Sequence, residues 1–344
     1  MVLPLMFLVV CTSASKLRPN IIFMLVDDLG WDDVSFHGSP QIPTPNMDNL
    51  AADGIILNNY YVQPVCTPSR SALMSGMYPI HTGTQHGVLT AAQPTGLPLR
   101  FKLMPQYFKD LGYETHMVGK WNLGYFMKEY TPTYRGFDSF YGYYNADEDY
   151  YNHTLDFDNH TGLDFWLNME PLFNESGKYS THLYTNRSKV LIENRDVSKP
   201  FFLYLAYQSV HSGSDADLLA APEENIMKFP YIGEVNRTKF AGMVDALDES
   251  VGDVLEALYE ADMLDNTIIV LSSDNGGLPF GPESNRGYNY PLRGGKGTLW
   301  EGATRASAFI WSPLLKQTRR VSDQMLHITD WLPTLYSAAG TRRR

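Results

Sequence analysis

Only two cysteines, Cys11 and Cys66, occur in the 344 residues, which excludes the disulfide-stapled scaffolds usual among small secreted domains. Basic residues are outnumbered: 27 Lys and Arg face 38 Asp and Glu, for a net charge of -11. That balance excludes a nucleic-acid partner, which would demand a basic face. An anionic ligand must then be met by a local cationic pocket rather than by the field of the whole molecule. Low-complexity tracts and internal repeats are also missing. No apolar run is long enough to span a membrane. The longest at the N-terminus, Val2 to Val10, is followed by the small residues Ser13, Ala14 and Ser15, so residues 1–15 read as a secretory signal without the customary basic start.

What is present supports a large packed enzyme. Apolar residues make up 44% and aromatic residues 13% of the chain, enough for one core spanning residues 16–344. Five Asn-x-Ser/Thr sequons, at Asn152, Asn159, Asn174, Asn186 and Asn236, agree with passage through the secretory pathway to a lysosomal or secreted destination. Loss of a leader containing Cys11 would leave Cys66 as the single cysteine. A free cysteine is most often a small buried hydrophobe, but the residues after this one argue for a functional role.

Cys66 opens the run Cys-Thr-Pro-Ser-Arg, followed by Ser-Ala-Leu-Met-Ser-Gly76. Pro68 suits the first turn of a helix, where its missing N–H would be unpaired anyway. Cys66 is then expected at or just before the N-cap, where free amides and the positive dipole end favour an anion. Arg70 lies one turn on, and its guanidinium fork can reach the same point.

Other segments read as buried strands that end in chemistry. Ile21 to Val26 is continuously apolar and stops at Asp27-Asp28. Adjacent carboxylates commonly form a solvated turn, but directly after a buried strand they repel each other, and a divalent cation relieves that repulsion. Phe201 to Tyr207 runs into Gln208-Ser-Val-His211, and Thr267 to Leu271 into Ser-Ser-Asp274-Asn275-Gly-Gly. Histidine at a strand end is as often structural as catalytic, and Asp-Asn-Gly-Gly alone is a plain turn. The segment from Leu111 predicts a strand and then a loop in which Gly119 and Gly124 flank Lys120 and Trp121. Lys296 is likewise set among glycines. Ile55 to Val62 reads as one strand, Phe240 to Met263 as a helix packed on a sheet, and Tyr130 to Tyr184 as a long surface excursion. Open α/β sheets place ligands at the carboxyl ends of their strands, so these residues fit one pocket.

The Cys66–Arg70 run and Gly112-Tyr-Glu-Thr-His-Met-Val-Gly-Lys-Trp-Asn-Leu-Gly124 resemble the two signatures of the sulfatases. The segments starting at Val26, Tyr60, Gln208 and Pro291 resemble the N-acetylgalactosamine-4-sulfatase subgroup, arylsulfatase B. The resemblance implies an α/β fold with a large, mixed, mostly parallel sheet flanked by helices, of the alkaline-phosphatase-like kind. It implies calcium held by Asp27, Asp28, Asp274, Asn275 and position 66, with Cys66 oxidised to formylglycine by a formylglycine-generating enzyme. Arg70 would hold the aldehyde hydrate, Lys120 and Lys296 the sulfate, and His211 would serve the leaving group. One hydroxyl of the hydrate attacks sulfur; the other then collapses to the aldehyde and expels sulfate. The substrate would be a sulfated glycan or an aryl sulfate.

The chain departs from the family pattern in several places. Asn122 stands where the second signature has histidine, so general-base help in sulfate expulsion, worth ~10²–10⁴ in rate, is lost. The loop after His211 reads Ser-Gly-Ser-Asp in place of a proline-containing pattern. The family's smaller C-terminal antiparallel-sheet domain and the subgroup's disulfide cysteines are expected to be missing. Hydrolysis slowed at Asn122 is therefore weighed against a non-catalytic binder of sulfated glycans. A phosphoesterase of the related group fits less well, because those enzymes use Ser or Thr as nucleophile.

Overall fold

The computed structural model describes residues 18–213 and 218–340. The leader with Cys11, and Ser214 and Asp215 of the loop after His211, lie outside the described residues. The strands are β1 (Asn20–Val26), β2 (Ile55–Leu57), β3 (Tyr60–Tyr61), β4 (Glu114–Lys120), β5 (Ser139–Tyr143), β6 (Thr154–Phe157) and β7 (His160–Leu163). They continue with β8 (Trp166–Leu167), β9 (Glu170–Pro171), β10 (Phe201–Ala206), β11 (Thr267–Ser273), β12 (Ala308–Trp311), β13 (Arg320–Ser322) and β14 (Leu326–His327). Ten of them form one sheet in the order β13-β2-β12-β11-β1-β10-β4-β5-β8-β9. The centre, β11-β1-β10-β4-β5, is wholly parallel, while β12, β8 and β9 pair antiparallel toward the edges.

β1 explains why the centre is buried on both sides. Its side chains alternate, so Ile22, Met24 and Val26 enter one apolar cluster and Ile21, Phe23 and Leu25 the other. The first cluster is closed by helix Val235–Glu260 through Phe240, Val244, Val251, Val254 and Leu258. Leu73 and Met74 of helix Cys66–Ser75, Phe108 of Met104–Asp110, and Trp331 and Leu335 of Trp331–Ala338 close the second. Phe23 is fully buried against Tyr204 and Trp331, and Phe23→Ala is expected to cost about 3–5 kcal/mol.

Three local expectations are corrected. Ile55 to Val62 is two strands in two sheets: β2 joins the large sheet, whereas β3 pairs with β14. Asn58 and Asn59 make the turn between them, and Asn58 N–H donates to the Ser322 carbonyl. The long helix begins at Val235 rather than Phe240, because the Glu234 carboxylate caps the Asn236 and Arg237 amides. Tyr130 to Tyr184 is not a surface excursion throughout. It supplies β5, a buried strand of the main sheet, and buries Tyr143, Tyr144, Glu148 and Tyr150. Tyrosine and asparagine content disguised the strand, since Phe140, Tyr141 and Tyr143 pack as aromatics on a sheet already covered by helices. The β6–β7 hairpin and the stretch from Phe173 to Lys178 keep the expected exposed character.

Candidate active site

Four adjacent parallel strands, β11, β1, β10 and β4, end side by side, and each delivers a polar side chain to the same place. Sheet bonding carries their register past the strand ends: Asp27 N–H donates to the Ser209 carbonyl at 2.9 Å, Val210 N–H to Asp27 at 2.7 Å, and Asp274 N–H to Val26 at 3.0 Å. Asp27 and Asp28 therefore stand between Asp274/Asn275 and the segment leading to His211. Lys120 is the last residue of β4 rather than part of the following loop. Gly119 before it has φ 101°, and a Cβ there would lie 1.8 Å from the Ala206 carbonyl oxygen. The bare backbone is what lets β4 and β10 stay closed at the site.

Helix Cys66–Ser75 points its N-terminus at these strand ends. Val65 is the N-cap, so Cys66 occupies the first helical position, one residue further in than the sequence suggests. Cys66 is a buried free thiol. Ligand atoms of Cys66, Asp27, Asp28 and His211 all lie within 4.8 Å of one another. Arg70, fully buried, places its guanidinium 2.8 Å from Asp274 and 3.3 Å from Asp27 and also donates to the Lys120 carbonyl. Lys120 bonds Asp27, and Lys296 Nζ is 2.7 Å from Asp28. Asn275 Nδ2 donates to Asp28 at 2.6 Å. Every residue singled out from the sequence thus belongs to one cluster.

Burial and crowding set the charges. Burial would raise the Asp27 carboxyl, but Lys120, His211, Arg70 and Lys296 outweigh it and hold the group well below the usual range. Asp274 is pushed well above that range, first by burial and then by repulsion from Asp27. Burial disfavours the charged forms of Arg70 and Lys296, yet the surrounding carboxylates hold both above their ordinary values. The cluster is a knot of opposed charges under mutual compression. In His211 the Nδ1 atom lies 2.6 Å from the Ser212 carbonyl, which can only accept, so Nδ1 carries the proton. Nε2 is left facing Asp28 at 3.7 Å. A cavity of about 550 Å³ lined by Arg18, Arg195 and Lys199 sits at the opposite, amino ends of the strands, away from this chemistry.

The sulfatase family model matches residues 19–341. The chain belongs to the sulfatase family. It is similar to mouse arylsulfatase J, with 46% identity over 95% of this chain and 53% of that protein. Human N-acetylgalactosamine-6-sulfatase is 32% identical over 95% of this chain and 63% of its own length. The chain therefore spans about half to two-thirds of these relatives. Among solved structures, Ps i-CgsB in complex with k-i-k-neocarrahexaose superposes with a TM-score of 0.87 at 32% identity, over 95% of this chain and 73% of that one.

In this sulfatase the site also depends on residues that carried no signal in the sequence. Asn285 donates to the Asp28 and Val210 carbonyls at 2.9 Å each and accepts from Leu278 and Gly287 amides, tying the β1 end to the His211 segment. Thr67 Oγ1 donates to Asn122 Oδ1 at 2.6 Å and accepts from Leu89 N–H. Asn122, at φ 52°, completes its bonding by donating to the Leu89 carbonyl. A lone Asn in a loop has no periodicity to mark it, and a Thr in the first turn of a helix, as Thr67 is, carries no pattern of its own. Thr67, inside the Cys-Thr-Pro-Ser-Arg run, was the one findable by position.

Proposed function

We propose that this chain hydrolyses sulfate esters of sugars or aryl alcohols, with position 66 oxidised to formylglycine. The observation that carries the reading is the gathering of Cys66, Asp27, Asp28 and His211 within 4.8 Å, ringed by Arg70, Lys120 and Lys296. The donor set suits a hard divalent cation. Asp27, Asp28, Asp274 and Asn275 offer oxygens, and Asp27 Oδ1 and Asn275 Oδ1 are buried without a hydrogen-bond partner. Those residues would hold calcium, which when bound neutralises sulfate oxygens and the crowded carboxylates. Formylglycine supplies a hydrated aldehyde whose hydroxyl is the nucleophile toward sulfur.

The chain's own side chains do the rest. Arg70 and the helix N-terminus hold negative charge at position 66. Lys120 and Lys296 grip the sulfate oxygens from the two sides of the carboxylate pair, which favours the charge-rich transition state. In its imidazolium form His211 gives its Nε2 proton to the departing alcohol, with Nδ1–H anchored on the Ser212 carbonyl. Asn122 takes no proton, and its amide is already committed to Thr67 and Leu89, so sulfate release is the slow step.

Within this class, the segments at Val26, Tyr60, Gln208 and Pro291 favour a 4-sulfated N-acetylgalactosamine, as in arylsulfatase B. The secretory route, with a lysosomal or secreted destination and maturation by a formylglycine-generating enzyme, is supported by sequons whose Asn152, Asn159, Asn174 and Asn186 are exposed. Incubating secreted protein with p-nitrocatechol sulfate and calcium tests the proposal. Turnover that stops on chelation supports it; no turnover together with an unmodified Cys66 removes it. The second reading, a binder of sulfated glycans without turnover, is favoured by the locked Asn122 amide and would survive that result.

A further inference from the structure

A cleft of about 490 Å³ opens between the segment after Leu89, the segment after Tyr144 and the β6–β7 hairpin. Two short stretches of chain connect it to the reacting centre. Asn122 donates its side chain to the Leu89 carbonyl and its backbone N–H to the Tyr144 carbonyl. Ala91 and Ala92, two and three residues beyond Leu89, line the cleft, as does Asn145, the residue after Tyr144.

Its walls have one chemical character. Tyr125 stacks on Tyr144 with ring centroids 5.7 Å apart, and Tyr144 packs on Trp166 at 5.1 Å, so Tyr125 and Trp166 stand on a fixed aromatic support. Asp164 fixes the polar part: it accepts from Trp166 Nε1 at 2.7 Å, from Asn145 Nδ2 at 2.7 Å and from the Asn145 amide at 2.9 Å. Asn145 is only 6% exposed, and its Oδ1 has no partner. A buried amide held by its nitrogen with a free oxygen is an acceptor awaiting a donor. Aromatic walls with a few fixed polar groups suit an amphipathic ring that carries hydroxyl or acetamido N–H groups. Among the described residues no lysine or arginine lines this cleft; its one basic side chain, His160, turns Nδ1 to the Asp158 carbonyl, and the carboxylates of Asp158 and Asp164 also line it. A carboxylate or a second sulfate would meet two carboxylates there with no permanent cation to offset them.

We infer that this cleft binds an uncharged pyranose of a sulfated glycan, the unit joined to the sugar whose sulfate ester is cleaved. The inference rests on the sulfate-ester reading and narrows it. Substrates whose sulfated sugar is flanked by neutral hexose or acetamido sugar fit the cleft; chains alternating with uronate do not.

Equilibrium binding to the full secreted chain tests this with two size-matched, singly sulfated hexasaccharides, one of neutral galactose units and one alternating with uronate. The neutral probe is expected to bind at least about tenfold more tightly, and Asn145→Ala and Trp166→Ala each to weaken it about tenfold. The same variants should weaken a sulfated monosaccharide at least fivefold less than the hexasaccharide, roughly the difference one lost subsite contact makes. Equal binding of the two hexasaccharides, or equal losses on hexasaccharide and monosaccharide, overturns the assignment. The comparison of the two probes uses unaltered protein, so it stands even where a variant misfolds. Binding needs no turnover: a chain that prefers the neutral probe yet leaves p-nitrocatechol sulfate intact keeps the subsite and loses the catalytic reading. A chain that turns over the aryl sulfate without preference between probes does the reverse.

Discussion

Two lysine–carboxylate pairs sit a few ångströms apart and differ in what reaches them. Asp27 and Lys120 are both wholly buried, with Arg70 beside them. Asp28 pairs with Lys296, whose side chain keeps 12% of its exposure, and with His211, which keeps 13%. The inner pair has no access to water and must be neutralised from within, so it builds the floor of the site. The outer pair borders solvent, where an ester can arrive. The difference separates a lysine that reaches only the buried sulfate end of an ester from one that also borders the solvent from which the ester arrives.

The largest expected effect lies where both pairs converge. Cys66→Ala should lower turnover of p-nitrocatechol sulfate by on the order of 10⁴ or more, with a nearly unchanged melting temperature; residual activity within tenfold of the parent would contradict a nucleophile at this position. The comparison itself is broken or kept by the two lysines. Lys120→Ala should cost on the order of 10²–10³ in turnover and also about 3 kcal/mol of stability, because buried Asp27 keeps only the longer 3.3 Å contact with Arg70. Lys296→Ala should lose similar activity but only about 1 kcal/mol of stability, since water can solvate Asp28 in its place. Equal shifts in melting temperature for the two variants would erase the distinction.

A smaller effect is expected at Asn122. With sulfate release slow, stopped-flow traces should show a burst of phenol release before a slower steady rate. Asn122→His should raise that steady rate by about 10² and remove the burst. A linear trace from the start would show that release is not limiting.

The last effect lies on the first apolar face of the sheet, not at either pair, and leaves turnover untouched. Asp248 is pushed up to about 6, chiefly by burial and against hydrogen bonds from the Met47 and Asn46 amides at the start of helix Pro45–Asp53. In the unfolded chain this carboxyl loses its proton near its ordinary value, so between about pH 4 and 6 the folded state holds more protons. Stability is then greatest below pH 4 and falls by about 3 kcal/mol as pH rises through 6. Asp248→Asn should flatten the dependence of melting temperature on pH over that window; an unchanged slope would assign the loss elsewhere.

The inner and outer pairs were legible in the sequence to different depths. Asp27-Asp28 announced itself because it follows an unbroken apolar strand, a pattern that burial on both faces explains; Asp274-Asn275, after Ser272 and Ser273, reads as a plain turn until set beside it. Cys66, Arg70, Lys120 and Lys296 were marked by proline or glycine neighbours. That Lys120 would choose Asp27 and Lys296 Asp28 was not legible, because it depends on which strand lies next to which. β5 was hidden for another reason: its tyrosines read as surface until helices are known to cover them. Asn285 and the Thr67–Asn122 bond were invisible in function because single polar residues acquire meaning only from what they touch. Asn145 belongs to the same group, and its free oxygen appears only once Asp164 has claimed its nitrogen.

The central claim is that position 66 becomes an aldehyde facing the carboxylate cluster. Mass analysis of the peptide containing residue 66, from protein secreted by a cell that makes formylglycine, tests it most directly. The expected peptide has its thiol replaced by an aldehyde that reacts with a hydrazide probe. A peptide carrying an intact cysteine thiol, inert to that probe, would contradict it.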